Sequence, residues 1–339
     1  MRTLDQQTTL SIVIPCHNEA SVLPLLFSRL NTVAQHWPMR LEVIVVDDGS
    51  SDESWSLLND FHAVDPRWKA IRLARNFGHQ LALWAGLRHA HGDLVAILDA
   101  DLQDPPEVLA TFFPRWSEGY DVVYGVRTRR KESLWKRLAY FGFYRLVAAL
   151  SEIAIPVDAG DFCLMDRRVA AAILRSREAE PYLRGIRAWV GFRQIGVAYE
   201  RQARAAGDAK YTWRKLLRLA TSGIFSCSTR PLRLATHLGF AISLLSFLAS
   251  GFTLLQRVFA DQFARIGLRP VPGFATIVIA VFFLGGVQLI CLGILGEYVG
   301  RIYENVKGRP RFVADKRLGL RRPRSTVRRS PDLYQGSSP

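Results

Sequence analysis

The sequence predicts an α/β protein: a mostly parallel β-sheet covered by helices on both faces, followed by two C-terminal helices that cross a membrane. Three observations carry this expectation. Through residues 1–200, short aliphatic runs alternate with helix-length segments. Acidic residues close two of those runs. Two long stretches without a charged residue then follow, set between basic flanks.

The strand runs lie at residues 10–14, 41–46, 69–73, 93–98 and 121–124. They are rich in Val, Ile, Leu and Ala with few polar interruptions, as strands buried on both faces require. Residues 21–36, 53–62 and 80–91 between them have helix length. Parallel strands need such crossovers, and the alternation gives a sheet with helices on either side. Ligands in open sheets of this kind sit just beyond the carboxyl ends of the strands. Asp47-Asp48 closes one run and Asp99-Ala100-Asp101 closes another, so the acids fall where a ligand is expected.

With 339 residues, 49% hydrophobic and 22% charged, the chain has material for one large domain and an appendage. That excludes a disulfide-stapled miniprotein, a disordered chain and a pure membrane bundle. Cys16, Cys163, Cys227 and Cys291 lie far apart with no CxxC. Neither a zinc site nor a secreted disulfide framework is expected, and a reducing compartment fits. Residues 1–9 are polar and run into the first strand, so no cleavable signal is expected. The formal net charge of +15 is unevenly placed: residues 1–200 hold 23 Lys and Arg against 24 acids, residues 201–339 hold 22 against 6. An excess confined to the region with the longest apolar runs points to anionic membrane lipids and away from nucleic acid.

Residues 234–256 and 270–296 contain no Asp, Glu, Lys or Arg. A helix needs roughly 20 residues to cross the hydrocarbon layer, and both spans exceed that. Residues 201–233 carry eight Lys and Arg and residues 301–339 carry eleven, against three in the connection 257–269. The positive-inside rule places both flanks, and with them the sheet domain and both termini, in the cytoplasm. Segments 134–150 and 211–225 mix aromatic and aliphatic residues with Lys and Arg, as helices lying in the headgroup plane do. For 134–150 an ordinary helix packed on the sheet domain is almost as good a reading. Residues 316–329 are basic and poor in apolar groups, which predicts a disordered, lipid-attracted arm. The chain therefore divides into a sheet domain at 1–205, juxtamembrane helices at 206–233, spans at 234–256 and 270–296 joined by a short external loop at 257–269, and a basic tail at 297–339.

Asp99-x-Asp101-x-Gln103 is the centre of the chemistry. Carboxylates two residues apart at a strand end can converge on one hard divalent cation, which in turn bridges diphosphate oxygens. Alone the pattern is weak, since acids after strands also serve turns. In DLVAILDADLQDPP it caps an apolar strand and is followed by prolines, which makes it more specific. Asp48 has the place to hydrogen-bond a base or ribose, while Asp52 reads as a helix-capping residue. No GxGxxG or Walker A pattern is present.

Seven ordered motifs, SIVIPCHNE, VVDDGSSD, RNFGHQLALWAG, DADLQDPPE, GDFCLMDRR, GDAKYTWRKL and LGEYVGRIYENVKGRP, together resemble the polyprenyl-phosphate glycosyltransferases. These are family 2 enzymes of GT-A fold related to dolichyl-phosphate mannose synthase, and the bactoprenol glucosyltransferase subgroup is the nearest in pattern. The resemblance runs over about residues 10–312. It implies inverting transfer of a hexose, with glucose foremost, from a UDP-sugar to undecaprenyl phosphate on the cytoplasmic face of the bacterial inner membrane. The lipid phosphosugar formed would serve cell-envelope glycan modification. The resemblance also implies Mg²⁺ or Mn²⁺ as cofactor and a homo-oligomer, such as a tetramer. By matching position, Pro15, Glu19 and Asp48 resemble the nucleoside contacts. Asp99, Asp101 and Gln103 resemble the metal and diphosphate site, with Asp101 also counted as catalytic. Arg127 resembles a donor phosphate contact, and Arg204, Lys210 and Arg137 resemble acceptor phosphate contacts. Asp161 matches the position proposed as catalytic base. The acceptor, however, is a phosphate monoester with a second pKa of about 6, already largely a dianion near neutrality. Asp161 is therefore also open to orienting the acceptor, taking a residual proton, or positioning a basic side chain. Cys163 stands where Arg is common, and Ala209 where Ser is common.

Several residues read as structural. His89 and His91 are two apart and point different ways on a helix, so a metal pair is not expected. His79 can approach a ligand or serve as a surface or capping residue. Gly285-Gly286 allows close helix packing without forming GxxxG, and Glu297 with Arg301 has the spacing of an ion pair. Two rivals remain. A processive membrane polysaccharide synthase calls for QxxRW and a larger channel wall. A non-enzymatic basic membrane adaptor gives no reason for acids at two strand ends.

Overall fold

The computed structural model describes residues 2–128, 159–179, 181–201, 230–259, 263, 265 and 273–320. The first unit follows the alternation read from the sequence. Strand β1 (Thr9–Cys16) leads to helix α1 (Leu23–Ala34), β2 (Arg40–Asp47), α2 (Ser54–Val64), β3 (Trp68–Leu73), α3 (His79–His89) and β4 (Leu94–Ile97). A 3₁₀ turn (Pro106–Val108) opens α4 (Leu109–Ser117), and β5 (Val122–Thr128) follows. Then come β6 (Ala159–Asp166), α5 (Arg167–Leu174), α6 (Leu183–Trp189) and β7 (Gln194–Glu200). Two long helices, α7 (Arg230–Val258) and α8 (Phe274–Val306), precede a last strand, β8 (Ala314–Leu318).

The eight strands form one sheet in the order β7-β5-β6-β4-β1-β2-β3-β8. Pairs β1–β2, β1–β4, β2–β3 and β5–β7 are parallel. Strand β6 is antiparallel to both β4 and β5, and β8 is antiparallel to β3. Successive side chains of a strand leave on opposite faces, and here both faces are covered. Leu10, Ile12, Ile14, Val43 and Val45 pack with Leu26 of α1, Leu58 of α2 and Phe112 of α4. On the other face Val13, Val95 and Ile97 meet Leu83 and Trp84 of α3 and Ile173 of α5, while Ile44 and Val46 meet Ala82 and Ala85 of α3.

Helix α3 lies unusually close to the sheet because residue 86 has no side chain. A Cβ on Gly86 would stand 2.3 Å from Val13 Cγ1 and 3.1 Å from Val46 Cγ2. The first residues of this helix enter the candidate site, so its seating matters to function.

The C-terminal region departs from the sequence expectation in two ways. Residues 316–318, read as the start of a disordered arm, instead belong to β8, with Arg317 opposite Ile71 and Lys316 opposite Arg72. The apolar residues Phe312, Ala314 and Leu320 pack against the Ile44–Ala85 face, and Leu318 against the opposite face. That burial and the unpaired edge of β3 hold a segment whose basic composition masked its alternation. The same return stretch clasps the sheet domain. The Arg311 guanidinium stacks 4.3 Å from the Trp84 ring and donates to the carbonyls of Glu178 (2.7 Å) and Ser176 (2.6 Å). The Asn305 side-chain oxygen accepts from the Ala179 amide at 2.7 Å.

Helix α7 contains the first expected span, 234–256, and α8 covers residues 274–296 of the second and continues to Val306. Among the described residues, one segment, Phe283–Val306, is long and apolar enough by length and composition to cross a membrane. Cys291 of α8 lies 3.8 Å from the Ala235 carbonyl of α7. Both helices carry exposed large apolar side chains, Phe240, Leu245, Phe283 and Leu289 among them. Glu297 and Arg301 form the expected ion pair at 3.0 Å. The segments 134–150 and 211–225 lie outside the described residues.

Replacing Gly86 by Leu forces α3 off β1 and β2. The expected cost is about 1–3 kcal/mol of stability, the range for overpacked cores, read as a lowered thermal midpoint of the purified chain. An unchanged midpoint would mean that the helix is not seated this tightly.

Candidate active site

The carboxyl ends of β1, β2 and β4 lie on one edge of the sheet, and each carries part of the site. Beyond β1, the Asn18 amide donates to Ser50 Oγ (2.9 Å) and the Glu19 amide to Ser54 Oγ (3.1 Å), stitching the first loop to the loop after β2. Pro15 is buried within β1, opposite Val46. Asp52 accepts from the Ala20 and Ser54 amides, both at 3.0 Å, and so holds the turn into α2, whose N-cap position is taken by Glu53.

After β2 the chain turns at Gly49, where φ is +68° and a Cβ would stand 2.5 Å from the Arg75 carbonyl carbon, so both backbone and space require glycine. Asp48 faces the loop before α3. Its two oxygens accept from the amides of Phe77 (2.7 Å) and Gly78 (2.8 Å). Burial pushes its pKa up despite these bonds. Asp48 thus fixes the point from which α3 starts, and with it His79.

After β4 the DxD turn is anchored by Ala100 and Leu102, which bury in the core. Leu102 takes a φ of +57°, uncommon for a branched side chain, and its burial holds it there. The Gln103 amide donates to Asp101 Oδ1 at 3.1 Å. Asp99 is different: its Oδ1 is out of solvent and has no hydrogen-bond partner. The nearest cation is His79 Nε2 at 3.8 Å, an ion-pair distance. Burial pushes the Asp99 carboxyl up to about 6, with His79 opposing and Asp104, Asp161 and Asp101 adding to the rise.

The antiparallel insertion of β6 brings Asp161 to this edge. Ile97 pairs with Cys163, so the residues before Cys163 climb past the end of β4 toward Asp99. Asp161 is buried and faces three basic or amide side chains. Arg184 contributes Nε (2.9 Å) and Nη2 (3.1 Å), Gln80 contributes Nε2 (3.1 Å), and His79 Nε2 stands at 3.3 Å. Burial alone would raise this carboxyl, but the Arg184 guanidinium and His79 outweigh it and hold it far below the usual carboxylate range. Burial lowers the His79 imidazole, but Asp161 and Asp99 outweigh it and raise the imidazole overall. These contacts tie Asp161 to the basic side chains of Arg184 and His79. A carboxylate held this way is a poor proton acceptor near neutrality.

A second knot lies beside the first. Asp104, fully buried, accepts from the Tyr199 hydroxyl and from Arg127 Nη2 (3.4 Å), with Arg201 Nε at 3.6 Å. Arg127 Nε also donates to Tyr199 Oη at 3.4 Å. The bare Cα of Gly160 permits this, since a Cβ there would stand 3.1 Å from Arg127 Nη2. Sequence reasoning found Arg127 and missed Asp104, Tyr199, Gln80 and Arg184, and it left His79 undecided. The GHQ sequence entering α3 directly after a strand-end loop was the available signal for His79 and Gln80. The structure therefore brings Asp48, Asp99, Asp101, Gln103, Asp161 and Arg127 to one sheet edge, with Pro15 and Glu19 at the neighbouring strand end. Arg137, Arg204 and Lys210 lie outside the described residues.

Hard carboxylate oxygens, one of them buried without a partner, suit a divalent cation of the Mg²⁺ or Mn²⁺ type. Among the described residues no group of three or more His, Cys, Asp or Glu is close enough to hold such an ion by itself.

Comparison with known proteins decides the family. Residues 11–174 match the glycosyl transferase family 2 profile, and residues 230–302 match the GtrB C-terminal hairpin. The chain is 40% identical over 311 residues to the uncharacterized glycosyltransferase YkcC of Bacillus subtilis (strain 168), a match covering 91% of this chain and 94% of that one. The chain belongs to glycosyltransferase family 2. It is 38% identical over 308 residues to the SfII prophage-derived bactoprenol glucosyl transferase of Shigella flexneri, covering 91% of this chain and 97% of that one. Among solved structures it is similar to glucosyl-3-phosphoglycerate synthase from Mycobacterium tuberculosis, with TM-score 0.47 and 18% identity over 64% of this chain and 78% of that one. The family 2 assignment makes the chain a transferase, and the described sheet is the GT-A-like, mostly parallel fold expected for it.

In this glycosyltransferase Asp104 accepts from two donors and has Arg201 at ion-pair distance. Replacing it with Ala takes an acceptor from the Tyr199 hydroxyl and from Arg127 together. The expected loss is about 1–3 kcal/mol in thermal or denaturant unfolding, whereas Tyr199→Phe, which leaves the Asp104–Arg127 contact in place, should cost about 1 kcal/mol. Equal effects of the two substitutions would show that Asp104 is not the centre of the knot.

Proposed function

We propose that this glycosyltransferase moves a hexose, glucose foremost, from a UDP-sugar to undecaprenyl phosphate at the cytoplasmic face of the bacterial inner membrane. The product is a polyprenyl-phosphate sugar, formed with inversion at the anomeric carbon, that serves as donor for cell-envelope glycan modification. The observation that carries this reading is the pairing of an acid-lined sheet edge with a C-terminal helix hairpin. Likeness to relatives named bactoprenol glucosyl transferase along nine-tenths of the chain supports it. Helices α7 and α8 serve as two membrane spans over 234–256 and 270–296, with the loop 257–269 outside and both termini inside. The basic excess of residues 201–339 meets anionic lipids. Assembly as a homo-oligomer, such as a tetramer, rests on family resemblance.

The chemistry asks little of a base. An acceptor phosphate with a second pKa of about 6 is mostly a dianion near neutrality and is already a nucleophile. The difficulty is electrostatic: the acceptor phosphate and the donor diphosphate repel each other and must be brought together. Asp99, Asp101 and Gln103 would hold a Mg²⁺ or Mn²⁺ ion. When bound, that ion supplies stabilisation of the negative charge developing on the departing diphosphate. Arg127, fixed by Asp104 and Tyr199, is placed to meet a donor phosphate. Pro15, Glu19 and Asp48 frame the nucleoside at the first two strand ends. Asp48 does so while also bonding the amides of Phe77 and Gly78. Arg137, Arg204 and Lys210 are assigned to the acceptor phosphate.

Membranes containing the protein are expected to convert undecaprenyl phosphate and a labelled UDP-sugar, with Mg²⁺, into a mild-acid-labile lipid phosphosugar. Parallel reactions with UDP-glucose, UDP-GlcNAc, UDP-galactose and GDP-mannose identify the sugar, and UDP-glucose is expected to give most product. Asp101→Asn should lower turnover on the order of a hundredfold or more, as for loss of a principal electrostatic stabiliser, with membrane insertion intact. Unchanged turnover in that variant removes the metal-site assignment, and no product from any donor removes the function.

A further inference from the structure

We propose that Arg184, rather than Asp161, is the member of their ion pair that touches substrate, and that it engages a phosphate group through the guanidinium edge that Asp161 leaves uncovered. The inference rests on the reading of the chain as a glycosyltransferase acting on a lipid phosphate. Nothing in the sequence marked Arg184. It sits in the first turn of α6, 23 residues beyond Asp161, and the fold alone brings the two together.

The pair is asymmetric. The Asp161 side chain is 4% exposed and that of Arg184 is 30% exposed, so an incoming ligand reaches the arginine first. Asp161 is also heavily engaged. Of the roughly four acceptor sites of a carboxylate, those of Oδ2 face Nη2 of Arg184, Nε2 of Gln80 and Nε2 of His79, and Oδ1 accepts from Nε of Arg184. Its charge is committed to groups of the chain itself. Arg184 is not full. A guanidinium carries five N–H donors and the pair uses two, leaving the Nη1–Nη2 edge for a second planar or tetrahedral oxyanion. Such a fork matches two phosphate oxygens, which an ammonium does not.

Arg184 is also held rigidly. The Leu183 amide, at the start of α6, donates to Gln80 Oε1 at 2.9 Å, and Gln80 Nε2 donates to Asp161 at 3.1 Å. Helix α3, strand β6 and helix α6 are thus closed into a ring with Arg184 at its rim. A cation fixed before substrate arrives stabilises an oxyanion without reorganising during reaction. Asp161 is then a positioning residue acting through Arg184. Two phosphate sources enter such a site, the lipid phosphate and the donor diphosphate. The chemistry engaged is the same, and the experiment separates them.

The test uses the full-length chain in detergent or membranes. Arg184→Gln should lower kcat/KM for undecaprenyl phosphate on the order of a hundredfold. Arg184→Lys, which keeps charge and loses the fork, should recover part of that loss. Calorimetry with UDP and Mg²⁺ names the source. An unchanged UDP affinity in Arg184→Gln assigns the lipid phosphate, and a matching fall assigns the donor diphosphate. Adding Asp161→Asn to Arg184→Gln should cost little more, because both act through one contact. A full multiplicative loss in the double variant would restore Asp161 to an independent role and overturn the proposal. A folded Arg184→Gln with unchanged turnover and UDP affinity would overturn it as well. Should Arg184→Gln lose its thermal transition, Arg184→Lys carries the test, with a raised lipid-phosphate KM expected and a wild-type KM overturning it. If the wild-type chain makes no lipid product, the function reading has failed on its own. UDP affinity then decides Arg184, a fall supporting the proposal and no change overturning it.

Discussion

Negative charge is crowded at one sheet edge, and the site is organised by what each carboxylate is given in return. Asp48, Asp99, Asp101, Asp104 and Asp161 all lie there, and burial raises the cost of keeping any of them ionised. Asp48 takes two backbone amides, Asp104 takes a tyrosine hydroxyl and an arginine, and Asp161 takes an arginine fork, an amide and a histidine. Asp99 has one buried oxygen without a hydrogen-bond partner among the described residues, with His79 at ion-pair distance. Buried polar groups are nearly always satisfied, and the divalent cation proposed for this edge would satisfy this one.

The donors come mostly from outside the strands that carry the acids, and this ties the site to the rest of the molecule. His79 and Gln80 arrive on α3, which rests directly on β1 and β2 because Gly86 lets it. Trp84 of the same helix receives the stacked Arg311, which also holds the carbonyls of Ser176 and Glu178 just before α6. Arg311 follows α8 by a few residues and precedes β8. The helix hairpin is therefore not a passive tether. Its exit segment touches the helix that supplies two of the Asp161 donors, and it braces the approach to the helix that supplies a third.

Much of this was legible in the sequence, for physical reasons that also explain the rest. Strands β1 to β5 and helices α1 to α3 declare themselves because two-sided burial writes long apolar runs and short crossovers write helix-length gaps. Strand-end acids are visible because the parallel sheet fixes where its ligand edge lies. Strands β6, β7 and β8 were not visible. The first is read more readily as a motif, the second is only partly buried, and the third is half basic. Missing β6 as an antiparallel insertion also hid the partners of Asp161. Its contacts with Arg184 and Gln80 span 23 and 81 residues, and the bond from Tyr199 to Asp104 spans 95. Contacts at such separations leave no local period to read.

The consequence for Asp161 follows from these separations. Read along the chain, the acid of Gly160-Asp161-Phe162 looks like a base, because sequence displays the acid and not what surrounds it. Read in space, the same acid is spoken for by three side chains from two helices, and the group left with unused donors is the arginine opposite. A reaction between two phosphates has little use for one more free carboxylate, whose charge would repel both. It has a use for a carboxylate that spends its charge fixing a cation. The fold places this acid where it can do so, on β6, which runs antiparallel to both of its neighbours.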